Sequence, residues 1–325
     1  MTTAFRRIQI GLEATRGTAL AADKVMLGTL TMTPQVTFHR PTDERNTLAE
    51  FHRAVAVAQS TKLRFEGDAT YEQLIDWLSM AVKGAISPST PEGSARLWTF
   101  TPNLTSKNVQ DSYTFEYGDD QQAWESAFTI CENLELGITL GEVMTVRADL
   151  FAKFAAKTTF TGALSVPALI TEVVANHMKF YVDGSWANIG NTESASLLAG
   201  ATVRLGTGIR PSNRADGSLD FATVSESKRH LEIDLDFIMS SAAMTEYDAY
   251  VANTLRAIRL ELIGGIADMA TNYQVNIDIL GKYVSEPELF TDRDGEDIMR
   301  MTIHSEEDGS GNEMSFAVTN KEITL

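Results

Sequence analysis

Cysteine, long apolar runs and positive charge are all scarce in this sequence, and each shortage excludes a class of protein. The chain of 325 residues contains one cysteine, Cys131, so it forms no internal disulfide and no site built from several thiolates. That scarcity favours folding in a reducing compartment. No apolar run approaches the ~18 residues of a membrane-spanning helix. The N-terminus carries Arg6 and Arg7 but lacks the apolar stretch of a secretory signal, so we expect no membrane partner.

Positive charge is too scarce for a protein that grips nucleic acid. Lys and Arg number 27 against 44 Asp and Glu, which leaves a formal charge of −17. Tight binding to phosphates needs clustered Lys and Arg, and adsorption to anionic lipid needs the same. Charged residues make up 22% and hydrophobic residues 43%, which is typical of a folded protein. At 325 residues, the length suggests two domains.

The sequence also lacks a recognisable catalytic or metal-binding constellation. Its 5 histidines are scattered, with no short-spaced pair. Gly206-Thr207-Gly208 lacks the third glycine of a dinucleotide site and is typical of a turn. Ser225 and Lys228 fit the S-x-x-K pattern of some serine hydrolases, but the companion motifs are missing. We therefore expect no enzymatic activity, no cofactor and no metal.

What the sequence does contain is apolar and polar residues in strict alternation. Leu231 to Phe237 alternates over seven residues, and Leu63 to Glu66 does so next to further charged positions. Residues 134–140, 146–150 and 273–279 follow the same pattern. A period of two predicts strands with one packed and one wet face, which favours antiparallel sheets. The fold class expected is mainly β with few helices.

The two halves of the chain share a plan. Each has a strand that ends in an Arg-Pro pair, Arg40-Pro41 or Arg210-Pro211, followed by a polar stretch and an alternating charged strand. Each then has one segment that predicts a helix: residues 70–83 place apolar side chains on one face, and residues 245–256 have acidic residues in the first turn. We expect a tandem duplication, with domains at 1–155 and 171–325 and a linker at 156–170. Chance matching between β-rich segments is the alternative.

Three carboxylates within one predicted strand need an explanation. Glu232, Asp234 and Asp236 would share the face opposite the packed residues. Carboxylates this close repel one another, so we expect them to face water or cations. A plain solvent-facing strand is one interpretation. The other is a sheet that closes with copies of itself into a barrel, whose negative lumen would let nucleic acid slide without sticking.

Several segments resemble a known family. Gly11 to Thr18 reads G-x-E-x-x-x-G-T, residues 65–77 resemble a strand followed by a helix, and residues 113–119, 128–140 and 143–154 look like later strands. Together they resemble the siphophage major tail proteins, the tube subunits of long non-contractile tails. The resemblance covers about residues 5–155. Residues 171–325 match only through the shared plan.

The resemblance implies a β-sandwich with one flanking helix and a long arm, without enzymatic activity. It implies a homo-oligomer whose rings stack into a tube, with inner strands joined into a barrel that conducts DNA. A duplicated chain would form a trimeric, pseudo-hexameric ring, and an unduplicated one a hexamer. The partners implied are further rings, a tape measure protein, tail terminator and tip proteins, and double-stranded DNA in transit without tight binding. The implied location is the tail tube of the virion, after assembly in the host cytoplasm.

On this interpretation, particular side chains are candidates for the pore and for contacts between subunits. Residues 40–61 read as a hairpin arm or flexible loop that a partner could order. The alternative function is a monomeric β-sandwich that binds a carbohydrate or protein through loops 84–96 and 206–218 and through Trp98, Trp124 and Trp186. The lumen-facing candidates are Lys62, Arg64, Glu66, Asp149, Glu232, Asp234, Asp236 and Asp278, and the arm candidates are Arg40, Pro41, Arg45, Phe51 and Arg53.

Overall fold

A computed structural model describes residues 5–167, 170–293 and 295–325. About half of the chain lies in β-strands, which confirms the mainly β fold class. The helices are α1 (Leu74–Ala81) and α2 (Ser241–Val251). The strands are β1 (Arg7–Leu12), β2 (Lys24–Met26), β3 (Thr29–His39), β4 (Val55–Asp68), β5 (Arg96–Phe100), β6 (Tyr113–Gly118), β7 (Ala123–Thr139), β8 (Thr145–Ala152), β9 (Ala156–Thr158), β10 (Met178–Asp183), β11 (Leu198–Gly206), β12 (Ile209–Ser212), β13 (Thr223–Glu226), β14 (His230–Ile238), β15 (Arg256–Asp268), β16 (Thr271–Tyr283), β17 (Glu288–Arg293), β18 (Glu296–Ser305) and β19 (Met314–Asn320).

One antiparallel sheet crosses the molecule from the first half of the chain to the second. We call it the front sheet, and its strand order is β3-β4-β8-β7-β11-β14-β18-β17. The pairing of β7 with β11 runs from Thr139 opposite Gly200 to Asn133 opposite Gly206 and joins the two halves. The predicted halves are therefore parts of one continuous sheet.

Two further sets of strands form the second layer. Behind the first half the order is β2-β1-β6-β7-β9, and behind the second it is β10-β15-β16-β19-β5. Strand β7 takes part in both layers because it pairs with β6 as far as Thr129 and with β8 from Ile130, and beyond a register shift between Cys131 and Asn133 it also pairs with β11. One hydrophobic cluster contains buried residues from both halves, such as Phe65 and Phe237.

The alternating segments form strands as predicted. In β14, Leu231, Ile233, Leu235 and Phe237 are buried, and the charged residues between them are half-buried. Burial alternates from residue to residue, as the sequence predicts, because one face of the front sheet packs against the second layer while the other is open to water.

Both helices differ in their bounds from the prediction. Helix α1 begins at Leu74 rather than near Thr70 and is buried along its whole length, with the Trp77 ring centroid 4.4 Å from that of Phe65. Helix α2 begins four residues before the predicted start. Its N-cap is Ser240, whose Oγ accepts a hydrogen bond from the Ala243 amide at 3.2 Å.

The segment predicted as a linker is bound to the rest of the molecule on both sides of residues 168–169, which lie outside the described part. Residues 156–158 form β9 and pair with β7. The Thr161 amide donates to the Glu116 carboxylate at 2.7 Å. Farther along, the Val173 amide donates to the Ala69 carbonyl at 2.9 Å. Residues 156–161 of the predicted linker therefore contact the folded structure, and the chain is bound to it again at Val173.

Candidate functional site: the polar face of the front sheet

The open face of the front sheet collects most of the charged candidates. Lys62, Arg64 and Glu66 lie on β4, and Asp149 lies on β8 directly opposite Arg64. Glu232, Asp234 and Asp236 lie on β14, with their side chains on the face opposite the buried residues. Seven of the eight predicted side chains therefore share one surface, which we call the polar face.

Ion pairs cross the first half of this face from strand to strand. Glu66 lies 3.2 Å from Arg64 and 3.8 Å from Arg147 on β8. Arg147 also contacts Glu135 on β7 at 3.2 Å. Glu135 then meets Arg204 on β11 at 3.3 Å, so that the series of contacts passes over the junction between the halves.

The series continues through the second half. Arg204 donates a hydrogen bond to Asp234, whose other carboxylate oxygen accepts from the Thr302 hydroxyl at 2.7 Å. Asp236 is held by two guanidinium groups, Arg293 at 2.7 Å and Arg300 at 2.8 Å. Cations from neighbouring strands thus lie between the carboxylates.

The sequence predicts that these carboxylates face water or cations, and in the structure arginine side chains are the cations beside Asp234 and Asp236. Burial alone would lower the pKa of Arg204, but hydrogen bonding and charge from Asp234 and Glu135 outweigh it, so the pKa is raised. The hydrogen bond from Arg300 to Asp236 likewise raises the pKa of Arg300. Opposite charges alternate across the face, so its electrostatic field falls off quickly with distance.

A pair of histidines lies on the same face and was not found from the sequence. The rings of His230 and His304 stack with centroids 6.1 Å apart and planes inclined by 4°. His304 Nε2 also lies 3.8 Å from the Glu232 carboxylate. The two residues are far apart in the sequence, and only the pairing of β14 with β18 brings them together.

Asp278 does not lie with the other seven candidates. It is on β16, between β15 and β19, and only 7% of its surface is exposed. Its carboxylate accepts two hydrogen bonds from Arg259, at 2.7 and 2.8 Å. Those bonds are the main cause of a raised pKa of Arg259. Alternation within a strand predicts a face, but not which layer the strand joins.

The predicted arm is partly strand. Residues 55–61 belong to β4, and the pairing with β3 extends to Val55 opposite His39. Only residues 40–54 connect the two strands, and we call them the first arm. Within it, Arg53 lies 3.0 Å from Asp43, and Arg45 donates to the Ala49 carbonyl at 2.9 Å.

The remaining arm candidates are on the surface. The Arg40 guanidinium lies 6.0 Å from the centre of the Phe51 ring, and Pro41 is half-buried. Phe51 itself is 41% exposed. Such exposure leaves these side chains available to a partner.

The tryptophans offered for a ligand site are dispersed. Trp98 is buried, and its indole NH donates to Asn320 at 3.1 Å. Trp124 and Trp186 are half-buried, and Lys157 covers the ring of Trp124 at 5.6 Å. Trp98 therefore belongs to the core.

The described residues contain neither a metal cluster nor a membrane-spanning helix. No group of three or more His, Cys, Asp or Glu side chains in 5–167, 170–293 and 295–325 could hold a metal ion. In the same residues, no helix is long and apolar enough to cross a bilayer. Burial raises the pKa of the Cys131 thiol, which suits an inert core residue.

Both ends of the front sheet are open edges. Of the pairings in the described residues, β3 pairs along its length with β4 alone, and β17 pairs with β18 alone. Unpaired strand edges are templates for another strand. No model of a known protein family matches the chain, and no curated protein is similar to it in sequence.

Proposed function

We propose that this chain is a structural subunit that assembles edge to edge into rings, and that the stacked rings form the tail tube of a long non-contractile phage tail. The observation that carries the proposal is the β7–β11 junction. It joins four strands of the front sheet from one half to four from the other, and among the described pairings the outer edges of β3 and β17 stay unpaired.

The strand pairings of the two halves correspond, which supports a tandem duplication. The pairings β1–β6, β3–β4, β4–β8, β6–β7, β7–β8 and β7–β9 have the counterparts β10–β15, β11–β14, β14–β18, β15–β16, β16–β18 and β16–β19. Helices α1 and α2 follow β4 and β14 in turn. In this correspondence β3 matches β11, and β17 continues the position of β7.

The correspondence predicts how copies would join. Because β7 pairs with β11 inside one chain, β17 of one copy would pair with β3 of the next in the same way. Phe65 and Phe237 are the last buried residues of β4 and β14, and we align the two halves on them. In this alignment Thr291 corresponds to Glu135, and Gln35 corresponds to Arg204. Glu135 lies opposite Arg204 across the junction, so Thr291 would lie opposite Gln35 of the neighbour.

Closure of such a sheet would place the polar face on the inside of a ring. Three copies would supply six sheet units and satisfy every open front edge, which is the advantage of a barrel over an open sheet. Fixed charges neutralised by neighbours about 3 Å away would neither attract nor strongly repel DNA beyond the screening length of ~8 Å. A tape measure protein and the tail terminator and tip proteins would be the further partners in the virion.

Electron microscopy and engineered cross-linking test the proposal together. The variant with Gln35→Cys and Thr291→Cys should form disulfides between copies that end at a closed trimer, and the protein should form rings or tubes at high concentration. The control combines Gln35→Cys with Ile266→Cys, because Ile266 is 67% exposed on β15 and away from β17. Monomers at every concentration and salt, without cross-links, would overturn the proposal and favour a monomeric binding module.

A further inference from the structure

Two hairpin arms lie in the part of the chain that the structure describes, and only one of these two packs against the rest of the described residues. The first arm joins β3 to β4, and residues 207–229, which we call the second arm, join β11 to β14 and contain β12 and β13. The two connections hold corresponding places in the two halves, and the second is the longer. Their surroundings differ, and the difference identifies a missing contact.

The second arm lies on the other half of its own chain. The ring of Phe221 lies 5.0 Å from that of Phe128 and 5.4 Å from that of Phe151. Ile130 and Ile209 complete a small apolar cluster, separate from the main core, in which every member is buried. The Asp220 carboxylate also accepts a hydrogen bond from the Phe154 amide at 2.8 Å. This arm therefore crosses the β7–β11 junction and locks it.

The first arm has apolar side chains but no such seat in the described residues. Leu48 is fully exposed at 106%, and Phe51 at 41%. Next to the arm, Phe38 is 52% and Val55 58% exposed. The base of this hairpin touches the rest of the chain where the Gln59 amide donates to the Leu219 carbonyl at 2.9 Å. A group of exposed apolar side chains of this kind indicates a contact surface.

A matching surface lies beside the opposite edge of the molecule. The Val284 amide donates a hydrogen bond to the Thr302 carbonyl on β18 at 2.9 Å. The corresponding pair in the first half is Ile130 on β7 beside Phe151 on β8. Ile130 is covered by the second arm, whereas Val284 is 59% exposed. Leu289 and Phe290 in the same segment are 44% and 66% exposed. We call residues 284–290 the open seat.

We propose that the first arm of one copy of this chain lies over the open seat of the next copy and locks the β17–β3 edge as the second arm locks β7–β11. The inference rests on the proposed function, because it supposes that β17 and β3 meet. The occupant is a second copy, since the chain already contains one filled version of the same arrangement.

Two arginines of the first arm can pair with acids of the open seat, on an arm that carries three arginines and three acids in all. Glu286 and Glu288 lie within the open seat, and Asp292 follows it. On the first arm, Arg40 and Arg45 have no carboxylate within 4.0 Å among the described residues. Opposite charge across a contact favours the correct register over others.

Mixed single-cysteine variants test the contact directly. Leu48→Cys and Phe290→Cys, prepared separately and then mixed, should form a disulfide between the two variants under mild oxidation. Cys131 is 0% exposed and should not react. The control replaces Phe290→Cys by Val251→Cys, whose side chain is 66% exposed on α2 and outside the open seat. Absence of the disulfide in a preparation that forms rings would overturn the inference while the proposed function stands.

A second measurement asks whether the contact matters for assembly. The variant Leu48→Asp with Phe51→Asp should weaken ring formation at least about tenfold, because full burial of one large apolar side chain is worth more than that factor. Val251→Asp should assemble like the unaltered chain. Normal assembly of the arm variant would contradict the inference. Failure of the unaltered chain to assemble would instead overturn the proposed function and this inference together.

Discussion

Arg204 lies 3.3 Å from Glu135, and these two residues connect the halves of the molecule across the β7–β11 junction. The Arg204 guanidinium also binds Asp234 on its own half, so that it bridges a carboxylate on each side. Backbone pairing from Gly200 to Gly206 sets the strands side by side, and in this register Arg204 lies opposite Glu135. The contact is therefore a sensitive place to examine how the sheet holds together.

Removal of this bridge should weaken the sheet moderately. Arg204→Met keeps the length of the side chain and removes both ion pairs. Because Arg204 is 45% and Glu135 32% exposed, each pair is worth no more than ~1 kcal/mol, and we expect a loss of about 1 kcal/mol in the free energy of unfolding. Denaturant titration at low salt measures it. The loss should shrink as salt rises, because screening weakens exposed pairs.

Lys62→Met is the matched control for that experiment. Lys62 lies on the same polar face, and its ammonium has no carboxylate within 4.0 Å in the part of the chain that the structure describes. Its replacement should change the free energy of unfolding by less than about 0.5 kcal/mol. Equal effects of the two substitutions would show that the bridge contributes nothing.

The packing of the second arm against the rest of the molecule should depend on the ring of Phe221. Phe221→Ala removes the side chain that lies between Phe128 and Phe151, and large-to-small changes of this kind cost ~3–5 kcal/mol. Because the cluster is separate from the main core, we expect the arm to detach while the sheet stays folded. Limited proteolysis should then cut within 207–229 much faster. Leu219→Ala, at a residue 39% exposed, should leave the cutting rate unchanged.

The sequence analysis predicted the strands well because their cause is local. In β14 each residue alternates between packing and water, and this period is visible in seven consecutive letters. The start of α2 was predicted four residues too late because the cap, Ser240, lies before the acidic residues that marked the helix. Local sequence patterns indicate where helices and strands lie. They do not fix the first residue of a helix, because the N-cap contributes a single hydrogen bond.

The sequence analysis predicted which side chains share the polar face, but not the ion pairs that they form. The alternation of Glu232 with Asp234 indicated a shared face, yet the cations that bind the carboxylates come from strands distant in the sequence. Arg204, Arg293 and Arg300 become neighbours of β14 residues only through the strand order of the front sheet. The local signs of interleaved charge were Arg147 with Asp149 on β8 and Arg64 with Glu66 on β4.

Glu72 should make the stability of the protein depend on pH. Its pKa is raised because the carboxyl is desolvated, and Oε1 accepts no hydrogen bond from the described residues. A carboxyl whose folded pKa lies above its unfolded value contributes stability below the unfolded pKa, and that contribution is lost as the pH rises through the folded pKa. Glu72→Gln, which is neutral throughout, should therefore be more stable than the unaltered chain at pH 7.

The advantage of Glu72→Gln should disappear near pH 4, below the ordinary value of 4.5 for this carboxyl. Denaturant titrations at several pH values give the difference between the two proteins. Glu50→Gln, at an exposed site on the first arm, serves as the control and should show no trend. A difference that stays constant over this range would mean that Glu72 does not titrate differently in the folded state.

The charge balance of the polar face should decide whether assembled tubes release DNA. Asp234 and Asp236 are unsuitable targets, because their replacement would leave Arg293 without a carboxylate among the described residues and would remove one of the two carboxylates that Arg204 and Arg300 each contact. Asp149 and Glu232 can be changed without loss of an arginine pair.

Tubes of the variant Asp149→Lys with Glu232→Lys should retain short duplex DNA at low salt and release it steeply as salt rises, because clustered cations bind phosphate by releasing counterions. Unaltered tubes should retain little at any salt. Asp120→Lys with Asp248→Lys, at exposed positions outside the front sheet, makes the same change of net charge and is the control. Equal retention by the two kinds of tube would mean that the polar face does not line the path of the DNA.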